Sequence, residues 1–295
     1  MNLKGIFRAR KLLANLKKDP NFSEAIKDKL TRNSLFLYEY ISPPEDEYFV
    51  SLHNHSDSGC YTLEEMAKTA IKRKYDVFVV ADHNMDIKFD GQRIRYYEFD
   101  GKGIFLVRGM ECRCRLKDPV MKDILLIGYE NGIRPFREID ETLDYCKQKR
   151  GIAIATSPFN EEARGLSGKQ LEKVVEKLDA IETLNSSSSL GFLCCFDALA
   201  EEFAKEKNIP GVFVNDAHTL SEIGLAGIGI KKGYLKVLEK PNEILREPDL
   251  LIQGLKEVIL QKKFNNYGNY IPKMSILYPS KFVTLSHKHA VLKPG

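Results

Sequence analysis

From Tyr48 onward, short apolar runs alternate with stretches whose apolar residues recur every three or four positions. The first kind reads as buried strands and the second as amphipathic helices. Strands are predicted in YFVSLHNH, DVFVVADHN, GIFLVRGMECRC, DILLIGY, GIAIATSP, AIETLN and GVFVNDAH, with GLAGIGI as a further one. Helices are predicted between them, in TLEEMAKTAIKRK, ETLDYCKQKR, GKQLEKVVEKL and FDALAEEFAKEKN. This alternation is the form of repeated βα units around a parallel sheet, and the most economical α/β architecture is a (βα) barrel. DLLIQGLKEVILQKKF reads as a closing helix. Residues 1–47 read as an N-terminal helical extension ended by Ser42-Pro43-Pro44 and Glu45-Asp46-Glu47, and residues 48–295 as the barrel domain.

Composition narrows the class without changing that picture. Hydrophobic residues make up 43% and charged residues 29% of the 295, as in ordinary globular chains. No apolar run reaches membrane-spanning length. The basic N-terminal stretch is interrupted by Arg and Lys and followed by no small-residue cleavage site, so no signal peptide is expected. That stretch fits a helix packed on its own domain, or one lying on a membrane surface. The six cysteines have neither zinc-ribbon spacing nor disulfide-scaffold density, which points to a reducing cytoplasm. A net charge of +4 does not by itself argue for nucleic acid.

The chemistry gathers at the predicted strand ends. Four of the six histidines lie at the C-terminal ends of strands, where parallel barrels assemble their active sites. His53 and His55 are two apart, so both point to one face and can share a metal ion. Asp216 and His218 repeat that spacing, and Asp82-His83 and Glu111 each end another apolar run. Mixed imidazole and carboxylate ligands suit zinc, manganese or iron, and suit a magnesium-only site poorly. A carboxylate such as Glu111 can bridge two ions, an arrangement that serves phosphate-ester hydrolysis. Arg113 shares the face of Glu111, so it either contacts a substrate phosphate or forms a rim salt bridge.

HNHS, TLEEMAKTAIKRKYDVFVVADHN, GMEC, IETLN and VNDAHTLSEIG, spread over residues 49–225, together resemble the PHP (polymerase and histidinol phosphatase) family. The resemblance implies a distorted seven-stranded, TIM-like (βα) barrel and a phosphoesterase with one to three Mn, Zn or Fe ions per chain. It places His53, His55, Glu111 and Asp216 on one metal and His83 and His218 on another. Asp57 is a further ligand candidate. The chain departs from the family pattern at Asp123 and Ser157, where histidines are usual; Asp123 is a conditional ligand there, whereas a serine hydroxyl is a poor substitute for imidazole.

The function expected is a hydrolase in which metal-activated water attacks a phosphate ester, with His53, His55, His83, Glu111, Asp216 and His218 as the catalytic set. Its substrate would be a nucleotide, a small phosphomonoester or a nucleic-acid end. Activity is expected to fall in acid as the histidines protonate. No obligate protein partner is expected. The alternative is a PHP-like barrel with a partly lost metal cluster that serves in binding or regulation. The loop DIKFDGQRIRYYEFDGKG reads as a short amphipathic helix over the barrel, or as a base-stacking segment carrying Arg93, Arg95, Tyr96 and Tyr97.

Overall fold

The structure, a computed structural model, describes residues 40–57, 61–85, 89, 91–116, 120–187 and 194–268. Most of the helical extension expected over residues 1–47 lies outside them. The strands are β1 (Glu47–Ser51), β2 (Val77–Val80), β3 (Ile94–Phe99), β4 (Lys102–Arg115), β5 (Met121–Ile127), β6 (Ile152–Ala155), β7 (Ala180–Asn185), β8 (Gly211–Val214), β9 (Ala226–Lys231) and β10 (Asn265–Gly268). The helices are α1 (Leu63–Lys72), α2 (Ile139–Gln148), α3 (Lys169–Val174), α4 (Cys194–Glu206), α5 (Pro241–Arg246) and α6 (Asp249–Leu260).

One nearly closed, barrel-like sheet runs in the order β10-β9-β1-β2-β4-β5-β6-β7-β8, with β3 paired to β4 off that path. Closure at the mouth comes from the chain beyond β1 and β8. Asn54 bridges Ala217 in parallel, His55 N–H donates to Ala217 O at 2.8 Å, and Asp216 N–H donates to His53 O at 3.0 Å. At the other end a side chain bridges the gap: Phe213 N–H donates to Asn266 Oδ1, and Asn266 Nδ2 donates to Gly211 O.

Inward-facing residues such as Val50, Val79, Val107, Leu125, Ile154, Val212 and Ile228 fill the barrel. Leu251, Ile252, Leu255, Val258 and Ile259 of α6 join the same core, so the predicted closing helix packs on the interior. Gly109 lies inside on β4; a Cβ there would come within 2.8 Å of a Val79 methyl, so only glycine lets the strands approach. Outer faces are covered by α1 on one side and by α2, α3 and α4 on the other. A Thr62–Glu65 capping box starts α1, and Met66, Ala67 and Ala70 form its buried stripe.

Two expectations need correction. The sheet is not uniformly parallel, because β5 runs antiparallel to both β4 and β6. Only residues 116–120 join β4 to β5, which is enough for a hairpin but too short for a crossover helix. Within the segment expected as a short helix, Ile94–Phe99 form β3, an antiparallel partner of β4. Asp100 (φ 52°) and Gly101 (φ 70°) turn that hairpin, a two-residue Asp-Gly turn that matches the twist of the flanking strands. No helix among the described residues is long and apolar enough to cross a membrane.

Candidate metal centre

His53, His55, His83, Glu111, Asp216 and His218 converge from the ends of β1, β2 and β8 and from the body of β4. Asn84 (φ 56°) and Asp216 (φ 51°) turn the chain through the left-handed region as it leaves β2 and β8; the short polar side chains of Asn and Asp tolerate this. Behind the cluster, the residues between these ligand candidates form a buried amide network. Asn215 Nδ2 donates to Ser51 Oγ at 2.8 Å and to the Tyr75 hydroxyl at 3.0 Å, and its Oδ1 accepts from Leu225 N and Ala226 N. Asn54 Nδ2 donates to Ser51 Oγ and to Val79 O, both at 2.8 Å. Asn54 and Asn215 thus tie together the segments that carry His53, His55, Asp216 and His218.

His55 lies at the centre of the cluster. Its ring stacks on those of His83 and His218, with centroids 4.1 and 4.5 Å apart. Its Nε2 lies 3.0 Å from His53 Nε2, 3.0 Å from Asp216 Oδ1 and 3.8 Å from Glu111 Oε2. His83 contacts Glu111 Oε2 through Nε2 at 3.0 Å and Asp57 Oδ2 through Nδ1 at 2.9 Å, so the structure brings Asp57 into the group. Three overlapping sets have donor atoms within 4.8 Å of one another: His55, His83 and His218; His53, His55 and Glu111; His55, Asp57 and Asp82. His55 belongs to all three, while His53 and Glu111 fall in one set and His83 and His218 in another.

These residues fit a bound cation. His55 Nδ1 and Asp216 Oδ1 are buried without a hydrogen-bond partner, although three imidazole nitrogens lie within 3.8 Å of that oxygen. Orphaned polar atoms at this depth are costly, and cations bound beside them would relieve that cost. The mix of nitrogen and oxygen donors suits a first-row transition metal.

Two hydrogen bonds outside the cluster orient its rings. Glu182, buried in the middle of β7, accepts from His53 Nδ1 at 2.7 Å, which turns Nε2 toward the cluster. Its other oxygen accepts from Ser157 N at 2.8 Å and from Asn185 Nδ2 at 3.1 Å. His218 Nδ1 donates to Asp216 O at 2.8 Å, with the same effect on its ring. Carboxylate–histidine pairs of this kind set the tautomer of metal-binding imidazoles. Asp82 serves the loop beneath: it accepts from Ser56 N, Ser56 Oγ and Asp57 N.

Burial pulls each imidazole toward its neutral form, and nearby carboxylates oppose it. They win at His53, raised to about 9 beside Asp216 and Glu182, and at His83, raised to about 10 beside Glu111 and Asp57. Burial wins at His218, lowered to about 3. Glu111, Asp57 and Asp216 are held below the usual carboxylate range by the imidazoles despite their burial.

Asp123 belongs to none of these donor sets. Arg113 Nε donates to its Oδ1 at 3.1 Å and Arg164 Nε to its Oδ2 at 2.7 Å, so both oxygens are taken. Arg113 accordingly makes the ion pair that was one of its two readings. Ser157 acts through its backbone N–H on Glu182, and its hydroxyl accepts from Asn185 Nδ2. Reading from sequence passed over Glu182, Asn185, Asn54 and Asn215. A lone acid inside the apolar run AIETLN was the available signal for Glu182.

No family model matches the sequence, and no curated protein matches it. Solved structures do share its fold. One is a two-domain protein from Bacteroides vulgatus containing a predicted PHP-like metal-dependent phosphoesterase. It is 12% identical, with a TM-score of 0.51 over 79% of this chain and 68% of the other. PsfC from Pseudomonas syringae is also 12% identical, with a TM-score of 0.51 over 83% of this chain and 98% of its own. The chain therefore has a PHP-like fold, the architecture that its HNHS, GMEC and NDAH motifs resemble.

Proposed function

We propose that this chain is a metal-dependent phosphoesterase, a hydrolase whose substrate is a nucleotide, another phosphomonoester or a nucleic-acid end. The observation that carries this reading is the convergence of four histidines with Asp216, Glu111 and Asp57 at one barrel mouth, around two buried and unpartnered donor atoms. His53, His55, Glu111 and Asp216, together with His83, His218 and Asp57, would hold one or more Mn, Zn or Fe ions. Such ions supply an activated water and neutralise charge on the phosphate oxygens. Within the chain, Glu182 fixes the His53 ring, Asp57 fixes His83, and Arg113 lies on the face of Glu111 where it can meet a phosphate. The same reading takes residues 48–295 as the catalytic domain and residues 1–47 as an extension, in a cytoplasmic protein.

A second reading, a barrel that binds without turnover, draws support from Asp123 and Ser157, which are engaged elsewhere and leave fewer donors for further ions. One experiment separates the two. Protein purified without chelator is assayed for metal content and for phosphate release from a panel of nucleotides, beside a His53→Ala, Asp216→Ala double variant. Metal retention with turnover that the variant abolishes is the expected result. Metal retention with no turnover under any added metal selects the binding reading, and absence of metal from the wild type removes both.

A further inference from the structure

The mouth has a second charged group beside the histidines. Arg113 on β4 pairs across the sheet with Asp123 on β5, one step further along the same face than the pair Glu111 and Leu125. Leu125 belongs to the barrel core, so Arg113 and Asp123 continue the interior face outward, about 7 Å along the strand from Glu111. Arg164 reaches the same carboxylate from the loop after β6. That loop is held on both sides: Asp123 N donates to Arg164 O at 3.2 Å, and Lys122 Nζ donates to Gly165 O at 2.8 Å. Arg164 takes a left-handed backbone (φ 58°), a costly conformation for a long side chain that the surrounding bonds enforce.

Asp123 uses up one edge of each guanidinium and no more. Among the described residues, Arg113 Nη1 and both Nη atoms of Arg164 have no hydrogen-bond partner, and the two side chains are about a quarter exposed (24% and 25%). Two guanidiniums against one carboxylate leave a net positive charge. Thr156 Oγ1 donates to Asp123 O at 2.9 Å, and the next residue, Ser157, bonds Glu182, which holds His53. A short bonded path therefore joins this pair of arginines to the cluster.

We propose that Arg113 and Arg164, cross-linked by Asp123, form an anion subsite that holds the terminal, dianionic phosphate of a phosphomonoester next to the histidine cluster. The choice of a monoester rests on the phosphoesterase reading; the anion site stands on the arginine geometry alone. A terminal phosphate has three non-bridging oxygens and about two negative charges, enough to accept from both guanidiniums while one oxygen faces the histidines. An internal diester has two such oxygens and one charge and cannot satisfy both sides. Asp123 is then a positioning residue that fixes the two forks in one orientation, a task that lysine could not share.

The test is calorimetric binding of methyl phosphate and dimethyl phosphate to the full chain loaded with manganese, in wild type, Arg164→Gln and Arg164→Lys, with metal content measured in parallel. The expected result is methyl phosphate bound about tenfold or more weakly by Arg164→Gln, partial recovery in Arg164→Lys, unchanged metal content, and weak dimethyl phosphate binding throughout. Equal methyl phosphate affinity in wild type and Arg164→Gln overturns the proposal, as does loss of metal in Asp123→Asn, which would make Asp123 a ligand. A wild-type crystal grown with inorganic phosphate decides the matter without variants. Phosphate oxygens within hydrogen-bond distance of both guanidiniums support the subsite, and phosphate seated on the histidine cluster alone refutes it. Methyl phosphate is itself a monoester, so phosphate release is measured alongside binding: a chain that holds methyl phosphate through Arg164 but hydrolyses nothing sinks the enzyme reading and leaves the subsite standing. Turnover indifferent to Arg164→Gln does the reverse.

Discussion

Asp216 and Asp123 look alike in the sequence: each is an aspartate at a strand end facing the same barrel mouth. Their surroundings are opposite. Asp216 has a buried oxygen crowded by imidazole nitrogens with no hydrogen bond, whereas both oxygens of Asp123 are claimed by guanidiniums. Asp216, whose Oδ2 accepts from Asn185 Nδ2 at 3.1 Å, keeps one oxygen able to take a cation; a carboxylate bridging two arginines already has its counter-charges. On the proposed reading the mouth is divided into a half that takes a metal and a half that presents positive charge.

The sharpest way to break this comparison is to neutralise each aspartate in turn. Asp216→Asn should lower metal affinity by more than about 100-fold, beyond what losing an outer hydrogen-bonding partner usually costs, while Asp123→Asn leaves metal content intact. Equal loss in the two variants, measured by elemental analysis, would erase the distinction. Next in size is Asn215→Ala, which strands the N–H groups of Leu225 and Ala226 and unties β1 from the chain beyond β8. It should cost about 3 kcal/mol in urea unfolding, and a cost under about 1 kcal/mol would show the network to be dispensable.

Glu182→Gln weakens the hold on His53 and should lower metal affinity roughly tenfold in competition with a chelator, with little change in methyl phosphate binding by the arginine half. The smallest effect is expected away from the mouth, at the start of β2. Burial pushes Asp76 up to about 6 although Phe49 N donates to it. Its folded-state value lies above its unfolded value near 3.9, so the cost of ionising it is absent below about pH 4, builds up between about 4 and 6 and is fully present above that. Asp76→Asn keeps an acceptor for Phe49 N, so it should raise stability by about 1 to 2 kcal/mol at pH 7.5 and leave it unchanged at pH 4. A Tm gain of the same size at both pH values would exclude an ionisation cost.

Much of the mouth was legible from local rules. HNH and DAH lie just past the apolar runs of β1 and β8, His83 just past that of β2, and Glu111 within that of β4. The antiparallel course of β5 was also legible in principle, since the chain between DPV and the preceding RCR is too short for a crossover. So was β3, whose Asp-Gly turn is a hairpin signal that the surrounding aromatic and basic residues obscured. Glu182 was harder to read: its partner His53 lies 129 residues away, and nothing near AIETLN shows that a histidine faces it.

By itself, then, the sequence determined which polar residues follow or interrupt the apolar runs of the strands, because that is local information. Only the tertiary structure decided what each polar group does there. Asn54 and Asn215 are 161 positions apart, and Arg113, Asp123 and Arg164 come from three segments. Whether a carboxylate keeps a free lone pair depends on which distant donors the closed sheet brings against it. That is settled by packing and closure, and periodicity along the chain does not contain it.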